Sequence, residues 1–317
     1  MFDVVISQKT REAEGVLRFE LVSVGGAELP AFTPGAHIDV MLPNGLIRQY
    51  SLCNHAEERH RYVIGVLEEP NSRGGSRLLH TEIEEGQSLQ ISAPRNLFSL
   101  DEGAKKSLLF AGGIGITPLL SMARHLARHG ADFELHYCTR DPLRSGFIDE
   151  LRQSSFAAQV HFHFDNGPAH QQLDAARILQ TPSPECHLYV CGPGGFMAHI
   201  LTTATAQGWA PANLHREYFA APALDTGADT SFEVELVRSA RVLLVPADRS
   251  VYEVLDEAGI EIPVSCEQGV CGTCLTRVIA GVPDHRDAFL STAEQARNDQ
   301  FTPCCSRSKS ARLVLDL

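Results

Sequence analysis

Apolar and polar residues alternate through Val16-Leu17-Arg18-Phe19-Glu20-Leu21-Val22, the two-residue period of a half-buried strand. Two similar runs, 37–42 and 46–52, flank Pro43-Asn44-Gly45, and Asn-Gly between such runs signals a hairpin. Several strands joined by short turns predict a small closed antiparallel β-barrel over residues 1–103. The pattern then changes. Residues 107–111 form a short apolar run that leads into Gly112-Gly113-Ile114-Gly115-Ile116-Thr117-Pro118. A helix fits 118–129, with Thr117 as its cap, Pro118 in first position and Gly130 ending it. Residues 133–138 and 187–191 read as further strands, the second again followed by glycines and a helix. Strand, glycine turn and helix in repetition predict a parallel α/β sheet over 104–222. Further along, His161 and His163 share one strand face, opposite Phe162 and Phe164, and a solvated histidine face is expected.

Residues 220–231 lack the apolar density of a packed element and read as a linker. Beyond it, 232–237 and 242–245 form a strand pair, and Ser250 with Glu253 makes a capping box for a short helix ending at Gly259. The run Ser265-Cys266-Glu267-Gln268-Gly269-Val270-Cys271-Gly272-Thr273-Cys274 follows, with Cys304 and Cys305 far downstream. Cys266, Cys271 and Cys274 have the plant-type spacing for a 2Fe–2S cluster. Thiolates are soft ligands suited to iron, and the interleaved glycines let the backbone curl close and point N–H groups at sulfur. Zinc usually takes ligands two by two, a disulfide framework suits smaller secreted chains, and inert buried thiols do not cluster among glycines. The spacing alone leaves the fourth ligand open between Cys304 and Cys305.

Composition narrows the class. The 317 residues are enough for two or three domains, and 44% hydrophobic with 21% charged residues is ordinary for a globular protein. A net charge of −12 disfavours nucleic-acid binding, because phosphates are repelled. The first residues lack the pattern of a signal peptide, and no run of 18 apolar residues exists. Nine cysteines with an iron–sulfur signature point to a reducing cytoplasm.

The cysteine run, Asp284-His285-Arg286-Asp287, and the ending Pro303-Cys304-Cys305-Ser306-Arg307-Ser308 together resemble the phthalate dioxygenase reductase family, over essentially the whole chain. That resemblance implies three modules: an N-terminal flavin-binding antiparallel β-barrel (1–103), a central parallel α/β nucleotide-binding domain (104–222), and a C-terminal β-grasp 2Fe–2S ferredoxin-like domain (231–317). In the family 29 residues separate the third ligand from the last, which selects Cys304.

Chemistry demands the flavin independently. Nicotinamide delivers two electrons as hydride, a 2Fe–2S cluster moves one, and a flavin can convert between them. Arg48-Gln49-Tyr50-Ser51 resembles the family's flavin motif, with Arg48 toward the phosphate, Tyr50 against the ring system and Ser51 near its reactive edge. Arg73-Gly74-Gly75-Ser76 resembles its phosphate loop, where glycines let N–H groups approach and Arg73 offers fork-shaped donors. No extra segment suggests an adenosine tail, so FMN is expected. Gly112, Gly113, Gly115, Thr117 and Pro118 resemble the family's nucleotide turn, although the third glycine of the dinucleotide fingerprint is missing. Gly192, Pro193 and Gly194 resemble its second loop, which places Cys191 beside the nicotinamide. Phe219 matches an aromatic near the flavin, against the plainer reading of a core aromatic. Asp141, after the second α/β strand, can bond the adenosine ribose, but Arg140 and Arg144 flank it. NADH is favoured by the resemblance.

The expected protein is a monomeric, cytoplasmic NADH-dependent reductase component of a Rieske-type aromatic oxygenase or demethylase, passing electrons from NADH to FMN to 2Fe–2S to the oxygenase. Two other classes remain open from the residues alone: an iron–sulfur and nucleotide sensor, and an electron-transfer subunit inactive outside a larger complex.

Overall fold

A computed structural model describes residues 1–69, 74–219 and 229–317. The chain divides into two compact units, Met1–Glu217 and Tyr218–Leu317. The first unit opens with β1 (Phe2–Ala13), β2 (Val16–Ser23), β3 (His37–Met41), β4 (Ile47–Ser51), β5 (Tyr62–Leu67), α1 (Gly75–Thr81) and β6 (Ser88–Ile91). These strands form an antiparallel sheet in the order β4-β3-β6-β1-β2-β5, and a bridge from Leu52 to Ile64 joins its two ends. The hairpin expected at Asn44-Gly45 pairs His37 with Ser51 and Met41 with Ile47. Inward alternation buries Phe19, Leu21, Ile38, Val40, Ile64 and Val66 in the barrel core. The twelve-residue β1 has no clear alternation signal, because only Val4 and Ile6 along it are fully buried.

The same unit continues with β7 (Lys106–Gly112), α2 (Ile116–Arg128), β8 (Asp132–Thr139), α3 (Ile148–Gln153), β9 (Val160–Phe164), α4 (Ala175–Ile178), β10 (Cys186–Cys191), α5 (Gly194–Ala206) and β11 (Leu214–Glu217). The sheet is wholly parallel, in the order β11-β10-β7-β8-β9. The chain steps outward from β7 to β8 and β9, then returns to the other side of β7 with β10. The crevice between the carboxyl ends of β7 and β10 is therefore a topological switch point, where open α/β sheets bind ligands.

Two local expectations need correction. Helix α2 begins at Ile116, with Gly115 at its N-cap position and no side-chain cap. Thr117 instead lies within the first turn, and its hydroxyl donates to the Ile114 carbonyl (3.0 Å). The extra turn forms because a short 3-10 segment at Gly113–Gly115 leads straight into the helix. The histidine face of β9 is also not simply solvated. His163 packs on the buried His136 of β8, with Nε2 3.1 Å from its Nδ1.

The second unit contains β12 (Phe232–Leu236), β13 (Arg241–Val245), α6 (Val251–Glu257), β14 (Thr276–Ala280), β15 (Pro283–Asp284), α7 (Thr292–Gln295), β16 (Gln300–Phe301), β17 (Arg307–Ser308) and β18 (Arg312–Leu315). Its main sheet runs β13-β12-β18-β14-β16, with β12 and β18 parallel. The predicted capping box closes α6: Ser250 Oγ accepts from Glu253 N–H, and the Glu253 carboxylate accepts from Ser250 N–H. α6 buries Val251 and Leu255 among Phe232, Val234, Phe301 and Leu313, the β-grasp core. Of the expected linker, 220–228 lie outside the described residues. Asp229 is anchored: its buried carboxylate meets the Arg286 guanidinium and lies 3.6 Å from Arg307 Nε. Among the described residues no helix is long and apolar enough to cross a membrane.

Candidate redox sites

In the first unit, β3 and β4 carry the flavin-motif residues side by side. Ser51 is paired across the ladder with His37, and Tyr50 with Ile38. Tyr50 packs on the barrel core, and burial pushes its phenol pKa well up. Arg48 reaches the start of α1, where a Cβ on Gly75 would fall 2.6 Å from its Cγ. The Arg-x-Tyr-Ser segment and the Gly-Gly-Ser segment thus meet, although 22 residues separate them. Gly74 has φ +94°, a conformation that suits glycine. Ser76 Oγ accepts from Glu69 N–H (3.2 Å). Arg73 lies outside the described residues.

At the switch point the two nucleotide loops interlock. A Cβ on Gly115 would sit 2.2 Å from the Cys191 carbonyl oxygen, so only glycine fits the crossing of α2 over the end of β10. Beside it is a cavity of about 790 Å³ lined by Gly112, Gly113, Ile114, Pro193 and Phe196, and by Thr139, Arg140, Arg144 and Asp165. Thr117 and Pro118 are buried in the first turn of α2, and Gly194 opens α5 behind Pro193. Cys191 is fully buried, and desolvation raises its thiol pKa well above the ordinary value.

Asp141 caps its own 3-10 turn, its Oδ1 accepting from the N–H groups of Leu143 (2.9 Å) and Arg144 (3.3 Å). Asp141 does not line the cavity; among the acids that do is Asp165, one strand over just beyond the end of β9. The sequence pattern offered no reason to choose it, since register alone brings the ends of β8 and β9 together. Glu217 was also hidden as a site residue, known only as the first residue of the segment containing Phe219. Its carboxyl accepts from Ser51 Oγ (3.4 Å) and lies 3.9 Å from His37 Nδ1. Burial pushes its pKa up to about 8, against the lowering effect of Ser51. Phe219 belongs to the second unit, where it is 41% exposed.

In the second unit the cysteine loop has no regular structure and is shaped by sulfur. The Cys274 and Cys304 sulfurs lie 3.3 Å apart. Gln268 N–H points at Cys266 Sγ (3.3 Å), and Thr273 N–H at Cys271 Sγ (3.4 Å). Hydrogen bonds from the Cys271 and Cys304 thiols hold the Cys266 pKa far below its ordinary value, favouring thiolate. Gly269 has φ +69°, and a Cβ there would strike Cys305 Sγ at 2.3 Å. Cys305 itself turns toward Thr302 Oγ1 (3.3 Å). Asp287 accepts from Leu290 N–H (2.7 Å), while Ala288 N–H donates to the Gly269 carbonyl (3.0 Å), so the Asp-His-Arg-Asp segment braces the loop. Buried thiols with backbone N–H groups directed at sulfur fit an iron–sulfur cluster.

Comparison with known proteins is decisive. Residues 234–309 match the model of the 2Fe-2S iron-sulfur cluster binding domain. The chain is 59% identical, over 100% of both chains, to vanillate O-demethylase oxidoreductase of Pseudomonas putida. It is 43% identical to phthalate dioxygenase reductase of Burkholderia cepacia, over 98% of this chain and 96% of that one. The chain belongs to the phthalate dioxygenase reductase family. A solved phthalate dioxygenase reductase, described as a modular structure for electron transfer from pyridine nucleotides to [2Fe-2S], superposes with a TM-score of 0.79 at 42% identity, covering 100% of this chain and 98% of that one. Membership identifies the antiparallel barrel as the flavin module, the parallel sheet as the nucleotide module and the β-grasp unit as the ferredoxin module. It also identifies the chain as an oxidoreductase using NADH, FMN and a 2Fe–2S cluster.

Proposed function

We propose that this chain is the NADH-dependent reductase of a two-component O-demethylase of the vanillate type, working as a cytoplasmic monomer that feeds a Rieske-type terminal oxygenase. The observation that carries this reading is the pairing, in one chain, of a nucleotide crevice beside a flavin motif with a four-cysteine loop. A bound flavin supplies the conversion between hydride and single electrons. The residues do the rest. Arg48, Arg73, Gly74, Gly75 and Ser76 hold its phosphate, Tyr50 packs its ring and Ser51 bonds its reactive edge. Gly112, Gly113, Gly115, Thr117, Pro118, Gly192, Pro193 and Gly194 admit the pyrophosphate of NADH. Cys191 floors the nicotinamide pocket. Asp165, with Asp141 at the neighbouring strand end, faces the adenosine ribose and repels a 2′-phosphate. Cys266, Cys271, Cys274 and Cys304 hold the cluster. The modules are 1–103, 104–222 and 231–317. The 59% identity along the full length supports the vanillate-type partner.

The test is steady-state turnover of the FMN- and iron-loaded protein. NADH oxidation is expected with ferricyanide, and methoxy-aromatic demethylation once a vanillate-type oxygenase is added. Ferricyanide turnover without oxygenase reduction would assign a different partner. No NADH turnover at all would leave a sensor.

A further inference from the structure

A second cavity of the first unit, about 530 Å³, lies away from the redox crevice, at the amino-terminal side of the parallel sheet. Its lining includes Lys106, Glu134, His136, His161 and His163. His136 is only 3% exposed, yet its Nε2 has no hydrogen-bond partner. That nitrogen faces Glu134 Oε2 at 3.3 Å, and His161 Nε2 lies 3.9 Å from the same oxygen. We propose that Glu134, His136 and His161 bind a divalent transition-metal ion of the zinc type.

The arrangement around those atoms is the argument. His136 Nδ1 meets His163 Nε2 at 3.1 Å. In the tautomer in which His136 Nδ1–H donates to His163 Nε2, His136 Nε2 keeps its lone pair. That lone pair stands 3.3 Å from a carboxylate oxygen, and a cation bound by both resolves the repulsion. The other Glu134 oxygen is held by Lys106 Nζ at 2.6 Å. Glu134 and His136 therefore have the outer partners that orient metal-binding side chains. Zinc–ligand bonds of about 2.0–2.1 Å in a tetrahedron put donor atoms about 3.3 Å apart. Glu134 and His136 already stand at that separation. Among the described residues no three such side chains already enclose a common point. The third edge closes when the 45% exposed His161 side chain turns inward, and its ring is already stacked on His136 (4.9 Å, 19°). Two imidazoles and one carboxylate suit zinc, nickel or copper and not magnesium or calcium.

The experiment is equilibrium dialysis of the FMN- and 2Fe–2S-loaded full chain against micromolar buffered Zn2+, reading zinc and iron by elemental analysis. One zinc per chain is expected, with iron unchanged. His161→Ala and Glu134→Gln should each weaken binding by about tenfold or more, while His199→Ala, on exposed α5, should not. Wild-type protein that takes up no zinc overturns the proposal. So does uptake unaffected by both substitutions, or uptake matched by loss of iron, which would place the zinc at the cysteine loop. None of these outcomes depends on the identity of the oxygenase partner.

Discussion

The two redox sites are held in different ways. In the first unit the site is a product of regular structure: parallel strands end together, glycines let two loops cross, and the crevice appears where strand order reverses. In the second unit the site is an irregular loop, shaped by its sulfurs and braced by the Asp-His-Arg-Asp segment. The crevice is vulnerable to a misplaced backbone atom, whereas the loop is vulnerable to loss of a ligand.

The largest expected effect lies in the loop. Cys304→Ser should abolish the cluster, leaving only flavin absorption and no iron–sulfur paramagnetic signal, while NADH–ferricyanide turnover persists. Cys305→Ser should keep both iron and signal. The reverse pattern would break the contrast between a ligand and its neighbour.

In the crevice, Gly115→Ala should strike the Cys191 carbonyl and cost about 1–3 kcal/mol by overpacking, with weakened NADH binding. Thermal unfolding and the KM for NADH would measure it. A stable variant with normal KM would show that the crossing yields more easily than the geometry implies.

Asp165→Ser should improve NADPH relative to NADH by about tenfold, a change of about 1.4 kcal/mol. Asp141→Ala should remove a cap worth about 1 kcal/mol and alter coenzyme preference less. Preference ratios from kcat/KM would separate the two acids, and a larger shift from Asp141 would reverse their roles.

The smallest effect is a pH dependence. Glu217 has a folded pKa of about 8, raised above its unfolded value by burial. Between those two values the unfolded chain loses the proton first, so wild-type stability falls as pH rises from about 4.5 toward 8 and this contribution levels off above. Glu217→Gln cannot ionise, so its Tm relative to wild type should climb across that window. A constant difference from pH 5 to 8 would mean that Glu217 titrates normally.

Much of this protein was legible before any fold was known. Period-two runs marked β2 to β4, glycine turns after apolar runs marked β7 and β10, and the cysteine spacing named the cluster, because strand period, tight turns and metal coordination are all constraints between near neighbours in sequence. What lay beyond reach was set by neighbours in space. Helix α2 starts earlier than its Pro118 suggested because a 3-10 turn runs into it. Asp165 lines the cavity because β9 lies beside β8, and Asp141 turns to its own backbone. Glu217 keeps a raised pKa because the fold buries it beside Ser51, more than 160 residues away in sequence, and burial outweighs the lowering effect of that hydrogen bond. Local pattern determines which elements form and which ligands are available. Burial, register and the approach of distant strands decide which of those groups meet, and in what protonation state, since desolvation exists only once the chain has folded.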